Sequence, residues 1–550
     1  MNQKSRVLLT TVLSVGILVG YLFFFSPTPT TAPQKPEEIL PKQKIEVTKQ
    51  KTEVRDPDPS FVGEDREIEI ETKKTRLVLS THGAVFTGYG LKDYHISTEI
   101  NSPTKDLLGE TKGSFALFLG LKGYDAFDEK ARFRVVSDKI LENSHREIIL
   151  AWQDKNLRLE RYFVFGGAAL DYVVTHSYKI INRTPAPLQV VPYLEDRFKQ
   201  KDVAKQKGNG FLSFLKFEQP DVFGSLYFQD KKLHPQIDWK SFSNLSEKGT
   251  FSWSGITDRY FLSAVFQNQD SVDHEIQFEK EDEFLHSRYF VGLKTIPAEG
   301  ELVGSFQNYI GPKELGYLQQ ANSTLSGAID YGWFGFLAHP ILWLMIFFHK
   351  VIPNWGIVII LLTFLVKLLL YPVNKKSLMS MKAMQQLKPK IDELKTKYKD
   401  DRQKQNQEMM QLFRTHKVNP MGGCLPMLLQ FPVYIALYKV LWNAIELYHA
   451  PFLVYADLSA PDPYFVSPIL LGIFMFLQQK LTPTPSADPS QQKIMMIMPV
   501  MFSVFMIFLP VGLVLYIFVN TVMSVVQQYM MQHNIRLRDL IRGKWQPNGA

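Results

Sequence analysis

Apolar and polar positions fall into three regimes along the chain. The first is a charge-free run from Val7 to Phe25, preceded by Lys4 and Arg6. Its 19 residues, wound as a helix, cover roughly 28 Å, close to one hydrocarbon core. The run is longer than the apolar core of a secretory signal, and Ser-Pro-Thr-Pro follows it. It therefore reads as an uncleaved anchor over 1–25, with its N-terminus held inside by Lys4 and Arg6. Residues 26–60 are rich in Pro, Thr, Lys and Glu, which predicts an extended linker. The second regime, 61–315, alternates with period two in short runs such as Glu67–Thr72, Arg76–Thr81, Glu147–Trp152, Leu157–Phe165 and Tyr172–Ile181. Turn clusters such as "THGAVFTGYG" and "INRTPAP" punctuate them, predicting an all-β sandwich of double length. Scattered carboxylates there, Asp171 and Glu195 among them, read as surface or turn residues.

The third regime is a set of apolar stretches. Tyr331–Phe336 and Ile341–Phe348, interrupted by His339-Pro340, predict an interfacial helix region over 316–353. Trp355–Tyr371, Gly422–Ile445 and Tyr464–Gln479 read as spans. Ile494–Tyr529 carries no charge over 36 positions. One helix of that length would be about 54 Å, too long for one crossing, so Pro510-Val511-Gly512 splits it into two. With the anchor, the pattern predicts six spans, five of them in a helical core over 354–530.

Charge placement tests this count. Residues 374–417 hold 12 Lys/Arg against 5 Asp/Glu, and the tail 531–550 is basic too. The connection Glu446–Pro463 holds three acids and no Lys or Arg. Six spans starting from an inside N-terminus put both basic segments inside and the acidic loop and β domain outside. Within the 374–417 loop, Leu378, Met381, Met384, Leu387, Ile391, Leu394 and Tyr398 recur at helical spacing. They predict an amphipathic helix kinked at Pro389, turned at Asp400-Asp401, with a return helix carrying Met409, Leu412 and Phe413. The overall charge of +8 and mean hydropathy of −0.09 hide this division. The single cysteine, Cys424, excludes an internal disulfide framework and a cysteine-rich zinc site. No HExxH, GxSxG or phosphate-binding loop is present, which argues against an enzyme.

Five segments then carry a resemblance: "NWGIVIILLTFLVKLLLYP", "KVNPMGGCLPMLLQFPVYIALY", "DPYFVSPILLG", "DPSQQKIMMIMPVMF" and "LPVGLVLYIFVN". In order and spacing they resemble the YidC membrane protein insertase family, in its Gram-negative form. The resemblance covers essentially the full chain. It implies a polytopic α-helical membrane protein with a five-helix insertase core and a large periplasmic β-supersandwich. It further implies an inner-membrane location with both termini cytoplasmic, and a chaperone-like role in inserting and folding membrane proteins without nucleotide hydrolysis. The implied partners are nascent membrane proteins, ribosome–nascent chain complexes, membrane lipids and the Sec translocon (SecYEG with SecDF). No DNA, cofactor or metal is implied. A polytopic transporter is the alternative, but it would show internal repeats or paired intramembrane charges.

Lys367 is read as the lone charge within the spans, one turn before Tyr371, and an intramembrane charge is a functional candidate by default. By resemblance it stands where the family has an arginine, in a hydrophilic groove open to cytoplasm and lipid. Lysine keeps the charge and loses the planar fork. Thr363 shares its helix face. The resemblance also implies that Thr363, Gln430 and Asn520 line the groove and that Tyr516 contacts substrate. The pliable Met381, Met384 and Met409, with Leu387, are candidate client contacts in the cytoplasmic hairpin.

Overall fold

The computed structural model describes residues 61–532, apart from 62, 110–111, 125–127, 129, 141–145, 166–171, 201–222, 238–241, 268–273, 400, 417, 419–424 and 482–488. The anchor and linker expected at 1–60, Asp171, Cys424 and nearly all of the tail lie outside the described residues. The chain divides into two compact units between Asp330 and Tyr331.

The first unit is built from two antiparallel sheets. One has ten strands, with the path Glu67–Glu71, Thr75–Ser80, Val85–His95, Phe115–Lys122, Leu188–Lys199, Phe284–Val291, His274–Glu281 and Leu245–Gly249. Thr104–Asp106 and Lys294–Ile296 pair off that path. The other has nine: Lys232–Gln236, Gly224–Gln229, Trp253–Thr257, Phe261–Phe266, Glu301–Pro312, Val173–Asn182, Leu157–Phe165, Arg146–Gln153 and Arg134–Ile140. Period-two alternation sets the faces. In Glu67–Glu71 both isoleucines are buried and all three glutamates exposed. Rings meet across the sandwich, Phe86 with Phe163 at 5.7 Å and Tyr289 with Phe306 at 6.4 Å, both edge to face.

Two expectations are corrected here. "THGAVFTGYG" is not all turn: Gly83 and Ala84, both at positive φ, make the turn, and Val85–His95 is an eleven-residue strand. A Cβ at Gly88 would come within 2.9 Å of the Val78 side chain of the neighbouring strand, and one at Gly90 within 3.3 Å of the Arg76 carbonyl, so both positions are crowded. Glu195 is not a surface residue. It is 6% exposed, accepts from His286 Nδ1 at 2.7 Å and from Arg288 Nε at 2.9 Å. Burial alone would raise its pKa, but these hydrogen bonds and charges hold it below the usual carboxylate range.

Strand parity also places charge in this core. Leu157, Leu159, Arg161, Phe163 and Phe165 share the inward side of their strand, as Val174, His176, Tyr178 and Ile180 do of theirs. Arg161 is fully buried, donates to Ala84 O at 2.7 Å, and lies 4.7 Å from the Phe163 ring centre. Burial lowers its pKa to about 9, so it stays charged at neutral pH. His176 is stacked between Phe163 and Phe306, and burial, then the Arg161 charge, pushes its pKa well down.

Nine α-helices are described. Helix α1 (Leu315–Ala321) leads by 3-10 turns into α2 (Gly335–Val351). Then follow α3 (Trp355–Gln386), α4 (Lys388–Lys397), α5 (Arg402–Thr415), α6 (Leu425–Asn443), α7 (Val466–Leu481), α8 (Pro489–Met506) and α9 (Val511–Gln532). Contrary to expectation, α2 runs unbroken through Pro340, with the loss of one backbone donor. Asn354 caps α3 by accepting from Ile357 N at 3.1 Å. The hairpin breaks at Leu387, which places Pro389 in the first turn of α4, where its missing N–H costs nothing. Asp401 caps α5 through Lys404 N.

Among the described residues, three helices are long and apolar enough to cross a membrane: Gly332–Val351, α3 and α9. Val466–Leu481 is a shorter apolar helix of 16 residues. Helix α9 packs against α3 and α7, and α7 against α8.

Candidate functional site

Three helices bring polar side chains together inside the apolar bundle. Each does so at a spacing of four: Thr363 and Lys367 on α3, Gln430 and Tyr434 on α6, and Tyr516, Asn520 and Ser524 on α9. Lys367 is half-buried and donates from Nζ to Ser524 Oγ at 2.6 Å. Ser524 donates in turn to Asn520 O at 2.8 Å. The Asn520 side chain donates to Tyr434 OH at 2.5 Å, and Gln430 donates to Tyr516 OH at 3.1 Å. The Tyr434 and Tyr516 rings meet edge to face, with centres 5.8 Å apart.

This line joins four of the five groove candidates, Lys367, Gln430, Tyr516 and Asn520. Thr363 behaves differently. It is fully buried and donates to Ile359 O at 2.7 Å, so its hydroxyl is satisfied within its own helix. Tyr516 is also fully buried, so its ring braces the α6–α9 contact rather than standing open to a client. Asn520 Oδ1 is buried with no hydrogen-bond partner among the described residues, which leaves one acceptor for a visiting donor. Phe364, Leu368 and Leu369 point outward from the same stretch of α3 and are mostly exposed. The ammonium of Lys367 therefore sits beside an apolar, outward-facing flank.

Sequence reasoning missed several of these residues. Ser524 and Tyr434 were not singled out, although the spacing of four from Asn520 and Gln430 would have found them. On α3 the same inward stripe continues past the span through Asn374 and Ser377, both buried, to Met384. Lys367 is not the only charge in the apolar helices: Lys439 lies in α6, one turn before Asn443.

The hairpin candidates fall mostly inward. Met384 and Leu387 pack with Ile391 and Phe413 in a small core, and Met409 lies partly buried against it. Met381 is half-buried, while Met379 and Met410 are the exposed methionines of this region. Hairpin folding itself therefore takes most of the apolar stripe. Among the described residues, no group of three His, Cys, Asp or Glu is placed to hold a metal ion.

Comparison with known proteins agrees with this division. Residues 67–344 match the YidC periplasmic domain model, and residues 347–538 match the 60Kd inner membrane protein model. The membrane protein insertase YidC of Magnetococcus marinus is 38% identical over 449 residues, covering 77% of this chain and 78% of that one. The YidC of Geobacter sulfurreducens is 34% identical over 547 residues, covering 97% of this chain and 99% of that one. A crystal structure of an active YidC insertase, with its first transmembrane domain resolved, covers 95% of this chain and 99% of its own at 17% identity and a TM-score of 0.37. With relatives above 30% identity matched along nearly its full length, the chain belongs to the YidC family of membrane protein insertases.

Proposed function

We propose that this protein inserts and helps fold integral membrane proteins, with the polar line from Lys367 to Gln430 as the place where a client's hydrophilic segment rests. The observation that carries the reading is the half-buried Lys367 ammonium bonded to Ser524 inside an otherwise apolar bundle. A charge held there is costly unless it is used. Polar side chains lower the barrier for a short hydrophilic tail, and the neighbouring apolar flank lets a hydrophobic helix leave into lipid. The 16-residue apolar helix Val466–Leu481, about 24 Å long, favours local thinning of the bilayer, which lowers that barrier further. The work is binding and release, with no covalent step.

The arrangement we propose has six crossings in the inner membrane. Both termini and the α4–α5 hairpin are cytoplasmic, and the β unit and the Glu446–Pro463 loop are periplasmic. The protein acts alone or beside the Sec translocon, and ribosome–nascent chain complexes deliver clients. The β unit supplies partner contacts rather than the insertion step.

The test is reconstitution of the purified full chain into liposomes. A single-span client with a short acidic tail is added without any nucleotide, and its protection from external protease is measured. Protection that depends on the protein supports the reading. Equal protection in empty liposomes, or solute flux without client insertion, refutes it.

A further inference from the structure

The loop between α6 and α7 is locked into one shape. Phe452 N–H donates to Tyr455 O at 2.8 Å, and Tyr455 N–H donates back to Phe452 O at 3.0 Å, which leaves Leu453 and Val454 alone at the tip. The loop is tied to the rest of the bundle at its base. Leu458 N–H donates to Ala450 O, Val511 N–H to Ala460 O, and Gly512 N–H to Leu458 O. Asp462 accepts from Tyr464 N, Ser467 N and Tyr455 OH, and Asp457 accepts from Ser459 N. Two of the connection's three carboxylates, Asp457 and Asp462, are thus engaged at its base, and the stretch from Pro451 to Ala456 carries no charged residue.

The tip itself contradicts what water would favour. Leu453 is 85% exposed and Val454 69% exposed. Leu453 also has φ +53°, a left-handed conformation that suits glycine or asparagine far better than leucine. Two adjacent aliphatic side chains held this exposed at a turn tip call for an apolar environment. The fold supplies one. Phe452, one residue before, lays its ring on Gly356, where a Cβ would overlap it. Gly356 is the second residue of α3, at the very start of its apolar span. Consecutive Cα atoms are only about 3.8 Å apart, so Leu453 stands level with the first turn of that span.

We infer that the Leu453–Val454 tip is a lipid anchor, inserted at the headgroup–acyl boundary on the side of the membrane where α3 begins. Exposed Tyr464, 63% accessible on the same connection, suits the same interfacial layer. The anchor fixes the depth of the α3 N-terminus, and through it the level of Lys367, three turns further on.

The experiment uses the full chain with Cys424→Ser and single cysteines at Leu453→Cys, Val454→Cys or, as an aqueous reference, the exposed Lys397→Cys. Each is labelled with an environment-sensitive fluorophore and reconstituted into phosphatidylcholine liposomes. Two quenchers are compared: iodide equilibrated on both sides of the bilayer, since residue 397 and the tip face opposite sides in the proposed arrangement, and lipids carrying a nitroxide on the acyl chain about 5–10 Å below the headgroups. At 453 and 454, nitroxide quenching should be several-fold stronger, and iodide quenching several-fold weaker, than at 397. Iodide quenching equal to that at 397 would place the tip in water and overturn the inference. Protection from both quenchers would mean that protein covers the tip, which overturns it equally.

Discussion

Removing the charge at Lys367 should separate clients by the charge of their tails. An ammonium and a carboxylate about 6 Å apart attract by about 3 kcal/mol at an effective dielectric of 20, and by about 0.7 kcal/mol in bulk water. Lys367 is half-buried and bonded to one hydroxyl, so its environment lies between these limits. An interaction of about 1–3 kcal/mol corresponds to a roughly 5- to 150-fold rate difference if it is made on the way across. Lys367→Ala should slow an acidic-tailed client by that factor relative to an otherwise identical neutral-tailed one. Lys367→Arg should keep the preference, because the charge stays. Lys367→Glu should slow acidic clients most, by reversing the sign. Ser524→Ala leaves the charge but frees its position, so it should weaken the preference less than Lys367→Ala. The assay is insertion of the paired clients into liposomes, with variant amounts matched by immunoblot. If the acidic-to-neutral ratio is the same for wild type, Lys367→Ala and Lys367→Glu, the ammonium merely snorkels to the headgroups and the groove reasoning fails.

Protonation of His176 offers a pH test in the β unit. Its folded pKa lies below the ordinary value near 6.5, so the unfolded state takes up the proton first, and stability falls below pH ~6.5 by up to about 1.4 kcal/mol per unit. Asp196, raised by burial, slopes the other way. Amide exchange of Val173–Asn182, corrected for intrinsic rate, should therefore lose its acid sensitivity in His176→Phe relative to wild type; identical profiles would refute this. Phe413→Ala removes the ring that closes the hairpin core and should cost about 3 kcal/mol, seen as faster protease cutting between Lys388 and Thr415. Reporter fusions at Asn406 and Asp457 should lie on opposite sides of the membrane, Asn406 in the cytoplasm; the same side for both would overturn the six-crossing arrangement.

The sheets were legible where side chains alternate. Glu67–Glu71 and Leu157–Phe165 could be read to within a residue, because each alternate position meets either core or water. Val85–His95 was hidden because Gly88 and Gly90, placed by a crowded neighbour strand, look like turn residues. The buried pairing of Glu195 with His286 and Arg288 joins residues about ninety positions apart, a relation that only strand registry creates. In the helical unit, Lys367 stood out because charge is rare in a span. Ser524 did not, because serine is common in helices and its meaning depends on which ammonium lies opposite. The methionines of the hairpin were visible as a stripe, but a stripe does not say whether the fold or a client covers it.

Helix α3 is continuous from Trp355 to Gln386, 32 residues. At about 1.5 Å per residue it is roughly 48 Å long, against a hydrocarbon core of about 30 Å. In the proposed arrangement more than a third of it therefore projects beyond the lipid as a rod, short of one backbone hydrogen bond at Pro372, that carries the α4–α5 hairpin at its end. Tilting that rod by pushing on the hairpin swings Lys367 and its neighbours with it, pivoting about the end that Phe452 pins at Gly356. On the proposed reading, a client that grips the hairpin would hold the far end of this lever, and the nearer part, at Lys367, would set the width of the polar line against α9.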